Sequence, residues 1–244
     1  MECRSDRTHL DLFSGIGGFA LAARWAGLET TAFCEKDPYC QRVLKKNFPD
    51  VPIHDDVKTF DATQLCRPWL LTGGYPCQPF SQAGQRRGKE DDRHLWPEML
   101  RVIRECRPTW ICAENVAGHI SMGLDTVLAD LESEDYSTRT FVIPACAKDA
   151  PHRKDRIWIV AYSNSTRWEK REGKTTSPVL RSQQHGGEEC RGRWLPEPSV
   201  GRVAHGIPKR VDRLRGIGNG IVPQVAYEII RSISEAEGAA TGIS

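Results

Sequence analysis

The stretch Phe13-Ser14-Gly15-Ile16-Gly17-Gly18 joins an apolar run, residues 8–13, to a segment of helical periodicity that continues through residue 26. Glycines at such a turn let the backbone approach a ligand closely. Glu35 follows the next strand-like run, 20 residues after Gly15, where a carboxylate can bind ribose hydroxyls. The pattern predicts the first strand, turn and helix of an α/β fold. On its own it favours nucleotide-type binding and a purely structural turn about equally, and it does not separate S-adenosylmethionine from NAD.

Short apolar runs alternate with helical segments along most of the chain, as in a parallel sheet covered by helices. The predicted fold class is therefore α/β, with a doubly wound, mostly parallel, Rossmann-like sheet. Asp56 follows Ile53-His54-Asp55 and can end a third strand, although an acid there is also typical of a solvated turn. Further strand-like runs lie at residues 31–34, 70–72, 109–113, 141–144 and 157–162.

Periodicity stops at Asn164 and returns in an apolar stripe, residues 222–233, which predicts a C-terminal helix. Between Asn164 and Arg215 there are 12 Lys and Arg against 6 Asp and Glu, whereas the whole chain has a net charge of +2. A basic segment on a mildly acidic body is typical of a nucleic-acid contact. We expect a main domain at 1–163, a short loop-rich basic insert at 164–210, and a C-terminal segment at 211–244 that packs back on the main domain.

The nine cysteines are an odd number without a C-x-x-C pair, which argues against a disulfide framework and a zinc site and for a reducing compartment. No apolar run approaches ~20 residues, and the N-terminus has no signal-peptide pattern. We expect a soluble cytoplasmic protein with no metal and no membrane contact.

Cys77 stands between two prolines in Tyr75-Pro76-Cys77-Gln78-Pro79, directly after a strand-like run. A rigid turn at the carboxyl edge of the sheet presents its thiol to the same crevice as the glycine turn. Turn-forming and polar neighbours favour a reactive role for Cys77. Most cysteines in a chain like this are small buried hydrophobes. We expect this of Cys34, Cys106, Cys112 and Cys146.

Glu114, in Ala113-Glu114-Asn115-Val116, ends another strand at this edge. A carboxyl that leaves a buried strand tends to have a raised pKa and can supply a proton near neutral pH, unless it is a structural acid bonded to backbone N–H groups. With a sulfonium methyl donor, a thiolate and this acid could methylate carbon 5 of cytosine. The thiolate adds to carbon 6 while Glu114 protonates or hydrogen-bonds N3, which makes carbon 5 nucleophilic. The target base must first be flipped out of the duplex.

Five motifs, in this order, resemble those of the DNA cytosine-5 methyltransferases: an F-x-G-x-G-G turn, a P-C-Q turn, an E-N-V strand end, a Q-x-R-x-R segment and a G-N pair before a last helix. Here they are residues 13–18, 76–78, 114–116, 152–156 and 218–219. The resemblance covers about residues 8–163 and 211–236. It makes 1–163 the catalytic and cofactor-binding domain and 164–210 a short target-recognition insert.

The resemblance implies an enzyme that uses S-adenosylmethionine and acts on double-stranded DNA. Cys77 would be the nucleophile, Glu114 would act at N3, and Arg156 would hold the base or the catalytic loop. The implied cofactor-site residues are Phe13, Gly15, Gly17, Glu35, Asp56 and Asn219. The implied DNA-binding residues, in a loop over residues 78–94, are Ser81, Arg86, Arg87 and Lys89.

Three departures from the family pattern stand out. Only Arg156 of the Q-x-R-x-R segment is retained, since His152 and Lys154 replace its first two motif positions. Lys36 follows Glu35 where an aromatic residue often stacks on adenine. The recognition insert is also far shorter than usual.

Several alternatives stay open at this point. They are a tRNA cytosine-5 methyltransferase of the same fold, a catalytically silent DNA-binding relic and, more remotely, an NAD-dependent oxidoreductase. The sequence does not decide the recognition site, nor whether a cognate restriction endonuclease accompanies the chain.

Overall fold

The computed structural model describes residues 7–76, 95–121, 123–148, 154–165 and 220–241. In these ranges the chain forms a seven-stranded mixed sheet with helices on both faces. The strands are β1 (Thr8–Leu12), β2 (Glu29–Cys34), β3 (Ile53–His54), β4 (Leu70–Gly73), β5 (Trp110–Val116), β6 (Tyr136–Pro144) and β7 (Asp155–Ser163). The helices are α1 (Gly18–Trp25), α2 (Pro38–Asn47), α3 (Trp96–Cys106), α4 (Leu124–Ser133) and α5 (Pro223–Thr241), with short 3-10 helices at Ala117–Ser121 and Ala145–Lys148.

The strand order is β3-β2-β1-β4-β5-β7-β6. The first five strands pair in parallel, whereas β7 pairs antiparallel with both β5 and β6. This architecture confirms the predicted doubly wound, mostly parallel sheet. The order reverses next to β1, so the carboxyl ends of β1 and β4 flank the crevice in which such sheets bind ligands.

Each face of the sheet has its own apolar core. On one face α3 and α4 pack through residues such as Met99, Ile103 and Leu131, against Leu10 and Leu71 of the sheet. On the other face α1 and α5 pack together around Trp158, and α2 lies beside them through Leu44, which packs with Ala20 of α1 and Phe33 of β2. The predicted C-terminal helix therefore exists and contacts the main body. The domain boundaries at 163 and 210 stay predictions.

Helix boundaries follow local signals. Asp37 caps α2 by accepting hydrogen bonds from the backbone N–H groups of Tyr39 and Cys40, and Pro38 occupies the first helical position, where its missing N–H costs nothing. None of the described helices is both long and apolar enough to cross a membrane.

One expectation about the cysteines was wrong. Cys34, Cys106 and Cys112 are buried as predicted, but Cys146 is exposed. Cys146 lies in the 3-10 helix after edge strand β6, where Ala145 is the residue that turns inward. A short helix at the rim of a sheet has only one side to bury, so a local apolar neighbourhood does not fix burial there.

Candidate active site

The turn between β1 and α1 has left-handed backbone geometry at Phe13, Gly15 and Gly17, with φ angles of 53°, 54° and 88°. Glycine adopts this geometry freely, whereas a bulky residue such as Phe13 is strained there, as residues at functional sites often are. The Ser14 hydroxyl donates to the backbone oxygen of Asp11 at 2.7 Å and fixes the turn. A Cβ atom at Gly15 would meet no atom of the described residues within 4 Å, so among these residues open space lies above Gly15.

Gly17 has different surroundings. A Cβ atom there would lie 3.0 Å from both Leu44 and Phe48, which belong to α2 and its end. The missing side chain at Gly17 therefore permits close packing of the turn on α2, whereas the missing side chain at Gly15 leaves space for a ligand.

Glu35, at the end of β2, holds the glycine turn. Its Oε2 accepts a hydrogen bond from the Gly15 backbone N–H at 2.7 Å, and its Oε1 accepts one from Asp37 at the same distance. Burial raises the pKa of the Glu35 carboxyl, while these backbone hydrogen bonds oppose the rise. A carboxylate oxygen has two lone pairs, so both oxygens can also accept from a ligand hydroxyl. The sequence spacing thus identified two residues that touch, and their part in cofactor binding stays a prediction.

Asp56 lies two residues beyond β3, at the same edge of the sheet. Its Oδ1 accepts from the Lys58 backbone N–H at 3.0 Å, which is the main reason that its pKa is lowered. Its Oδ2 lies 3.4 Å from Nζ of Lys36, whose side chain is largely exposed. Lys36, which stands where the family often has an aromatic residue, therefore contacts a carboxylate that is itself a predicted cofactor-site residue.

Glu114 and Arg156 form a buried ion pair across β5 and β7. Arg156 faces Val116 in the antiparallel register, so it is a diagonal neighbour of Glu114 on the same face. The Nε atom of Arg156 lies 2.7 Å from Oε1 of Glu114, and Glu114 is only 7% exposed. That oxygen accepts no well-directed hydrogen bond from a described residue. Burial raises the pKa of Glu114 to about 7, although Arg156 and Lys154 pull it downward.

The strand end that carries Glu114 also contacts the segment that leads to Cys77. A Cβ atom at Gly74 would lie 3.4 Å from Oε2 of Glu114. Next to Glu114, the Asn115 side-chain amide donates to the backbone oxygen of Tyr75 at 3.1 Å. Sequence reasoning gave Asn115 and Tyr75 no role, although the position of Asn115 beside Glu114 was a usable signal.

Lys154 connects this site to the beginning of the C-terminal segment. Its ammonium donates to the backbone oxygen of Gly220 at 2.5 Å, next to the G-N pair in sequence. Lys154 has a φ angle of 36°, and burial, followed by the charge of Arg156, lowers its pKa. The antiparallel direction of β7 places its first residues at the carboxyl end of β5, which is why Lys154 and Arg156 reach this edge.

Six predicted site residues lie outside the described residues. They are Cys77, Ser81, Arg86, Arg87, Lys89 and Asn219. Among the others, Phe13, Gly15, Gly17, Glu35 and Asp56 lie on the β1–β2–β3 half of the edge, and Glu114 and Arg156 lie on the β5–β7 half.

The order of these groups along one sheet edge agrees with a comparison of the whole sequence against family models. Residues 8–189 match the model of the C-5 cytosine-specific DNA methylases. The chain belongs to this family.

Two curated methylases illustrate the relationship. The type II methyltransferase M.HhaI of Haemophilus parahaemolyticus is 32% identical over 160 residues, which are 64% of this chain and 49% of that protein. M.AquIA of Picosynechococcus is 33% identical over 173 residues, covering 62% of this chain and 70% of that protein. The chain thus spans about half the length of M.HhaI.

A solved methylase structure is similar in fold. It is described as a DNA modification methyltransferase encoded within an E. coli prophage, and it matches with a TM-score of 0.57 and 26% identity. The match covers 66% of this chain and 48% of that one. The tertiary structure and the family membership therefore agree.

Proposed function

We propose that this chain transfers a methyl group from S-adenosylmethionine to carbon 5 of a flipped-out cytosine in double-stranded DNA, through a covalent bond to Cys77. The observation that carries the proposal is the buried Glu114–Arg156 pair. Its acid has a pKa of about 7 and lies against Gly74, three residues before Cys77. A proton donor that works near neutral pH is what the reaction needs at N3 of the base.

In this mechanism the Cys77 thiolate forms a bond to carbon 6 of cytosine, and Glu114 gives its proton to N3. The electron pair then available at carbon 5 forms the new bond to the methyl group, whose bond to the sulfonium sulfur breaks and leaves a neutral thioether. A base removes the proton from carbon 5, the bond between carbon 6 and the cysteine sulfur breaks to release the thiolate, and N3 returns its proton to Glu114. Arg156, whose Nε lies 2.7 Å from Oε1 of Glu114, keeps this carboxyl oriented.

The other half of the edge fits S-adenosylmethionine. When bound, this cofactor supplies an activated methyl group on a sulfonium. Glu35 offers lone pairs to ribose hydroxyls, the space above Gly15 admits close approach of a ligand, and Asp56 offers an acceptor to an amino group. Lys36, paired with Asp56, would take part in the adenine contact in place of an aromatic ring.

Contact with DNA is assigned to two segments. Ser81, Arg86, Arg87 and Lys89 follow Cys77 in sequence, and cationic side chains beside a nucleophile are suited to phosphate contacts. The basic insert at 164–210 is the second, as a short target-recognition region. The match to type II methyltransferases supports DNA as the substrate and leaves a cognate restriction endonuclease as a partner to be sought.

The test is methyl transfer and covalent trapping. Tritium from labelled S-adenosylmethionine should appear in duplex DNA and not in tRNA. DNA containing 5-fluorocytosine should form a stable adduct. Release of the cysteine requires a base to remove a proton from carbon 5, and the fluorine atom in its place cannot be removed in this way. Labelling of tRNA alone would assign the chain to RNA, and a wild-type protein that binds DNA without turnover or adduct would be a silent relic.

Cys77→Ser should abolish turnover and the adduct while DNA binding persists in a gel-shift assay. The matched control is Cys66→Ser, since Cys66 is an exposed thiol in the loop that precedes the amino end of β4, whereas the candidate site lies at the carboxyl ends of the parallel strands. Full activity of the Cys77 variant would remove this residue from the mechanism.

A further inference from the structure

Tyr75 is the last buried residue before the Pro76-Cys77 pair. It is 3% exposed, and its ring contacts Trp96 with a centroid separation of 5.1 Å. On another side the ring meets His119 edge-on, at 5.5 Å and an interplanar angle of 77°. The aromatic side chain is thus enclosed by α3 and by the 3-10 helix that follows β5.

Two hydrogen bonds attach Tyr75 to the segment that carries Glu114. Its hydroxyl and Nε2 of His119 share a buried hydrogen bond of 2.8 Å. Its backbone oxygen accepts from the Asn115 side chain at 3.1 Å, and the other end of that amide accepts from the Val116 N–H at 2.9 Å. Side chain and backbone of Tyr75 are therefore both bound by residues just beyond the catalytic acid.

His119 is itself closely surrounded. It is 4% exposed, and its backbone oxygen accepts from Gly123 at 3.2 Å. A Cβ atom at Gly123 would lie 3.3 Å from the imidazole Cε1. The imidazole therefore has little freedom to move away from Tyr75.

The backbone between Tyr75 and the nucleophile Cys77 has little rotational freedom. The backbone oxygen of Tyr75 is bound, and the intervening residue is a proline, whose ring locks φ near −65°. The direction in which the chain enters Cys77 thus depends largely on how Tyr75 is held.

We propose that His119 is a positioning residue for the nucleophile: through Tyr75 it fixes the Pro76-Cys77 turn relative to Glu114. This inference rests on the proposed function. It makes residues 114–119 a single unit that carries the acid at one end and, through Asn115 and His119, aligns the thiol with it. Misplacement by about 1 Å can slow a reaction by up to about 100-fold, so such an anchor acts on the chemical step more than on binding.

The experiment compares Tyr75→Phe and His119→Phe, which remove the hydrogen bond and keep an aromatic ring. We expect each to lower kcat and the rate of adduct formation with 5-fluorocytosine DNA by about 10- to 100-fold, with KM for DNA and for S-adenosylmethionine within about twofold of wild type. The double variant should be no slower than the slower single variant, because both changes remove one shared interaction. His119→Gln, which keeps a hydrogen-bonding group near the position of Nε2, should recover part of kcat.

The matched control is Tyr136→Phe. Tyr136 is an equally buried tyrosine of the same core, whose hydroxyl donates to the Pro108 backbone oxygen at 2.8 Å, away from the turn. We expect it to lower Tm as much as Tyr75→Phe does and to leave kcat unchanged. If the Tyr75 and His119 variants change kcat no more than Tyr136→Phe does, the pair is merely structural and the inference is wrong.

Failure of the proposed function would be recognised separately, because then the wild-type protein forms no adduct and labels no DNA. Hydrogen exchange still decides the inference in that case. The peptide over residues 71–76 should exchange at least about tenfold faster in Tyr75→Phe and His119→Phe than in wild type or Tyr136→Phe. Unchanged exchange would mean that His119 does not hold the turn.

Discussion

Two buried carboxyl groups, Asp11 of β1 and Glu114 of β5, have raised pKa values for the same physical reason, loss of hydration. The pKa of Asp11 rises to about 8 and that of Glu114 to about 7. Asp11 is completely buried inside the sheet and accepts a hydrogen bond from the Thr72 hydroxyl at 2.7 Å. Glu114 lies where its strand leaves the core, beside Arg156 and Gly74. Position at the open edge, and not the size of the pKa shift, distinguishes the candidate catalytic acid from the structural one.

The proton on Glu114 should control activity above neutral pH. Because burial raises its pKa from 4.5 to about 7, the carboxyl keeps its proton below pH 7 and loses it above. We therefore expect kcat/KM for methyl transfer to fall as pH rises through about 7. In Glu114→Gln, which has no acidic proton, this descending limb should be absent, and the rate at pH 7 should be lower by about 100-fold.

The control for this profile is Glu29→Gln, at an exposed carboxylate of β2. It should retain both the rate and the pH profile of wild type. A descending limb near pH 7 that persists in Glu114→Gln would assign it to a different group.

At the scale of elements, the β1–α1 turn and the end of β5 organise the site. The turn pattern was readable because glycine spacing and the acid at the end of β2 are local signals. The end of β5 was harder to predict from the sequence. The apolar run predicts a strand that ends at residue 113, whereas the strand continues to Val116. Residues 114–116 are extended because β7 pairs with them, and this pairing joins residues far apart in the chain.

Gly15→Ala should weaken cofactor binding as well as lower the stability of the fold. The new methyl group would enter the open space above the turn, and the left-handed φ of 54° adds a strain of about 1–2 kcal/mol. Gly27→Ala is the matched control, since Gly27 has a φ of 77° and open space around it, at the far end of α1.

Both variants should lower the free energy of unfolding by a similar amount in denaturant titrations. Only Gly15→Ala should raise the Kd for S-adenosylmethionine, by about tenfold or more, in calorimetry. Equal affinities of the two variants would place the cofactor elsewhere.

At the scale of the whole molecule, α1 and α5 together cover one face of the sheet. Its residues Val225, Ala226, Ile229, Ile230 and Ile233 are buried with Phe19, Ala22 and Ala23 of α1 and with Trp158 of β7. The same contact brings Ile221 against Gly18, where a Cβ atom would lie 2.7 Å from Cγ1 of Ile221. The segment just before α5 therefore meets the start of α1 beside the glycine turn.

Ile230→Ala should destabilise the fold by about 2–5 kcal/mol, because it removes buried methyl and methylene groups and leaves a cavity between α5 and the sheet. Ile230 is completely buried. Chemical denaturation measures the loss, and Ser232→Ala, at an exposed position of the same helix, should stay within about 0.5 kcal/mol of wild type. Equal effects of the two variants would show that α5 does not pack as described.

The sequence by itself determined the class of fold, the glycine turn with Glu35, the helical face of α5, and the identity of Glu114 as an acid at a strand end. These are local properties, since the spacing of apolar residues reports which side of an element is buried. Only the tertiary structure decided the antiparallel direction of β7, which brings Arg156 and Lys154 to the same edge as Glu114. It also decided the pairing of Tyr75 with His119, 44 residues apart, and the exposure of Cys146. Strand order and side-chain pairs depend on how distant segments share one core, and no local pattern records that.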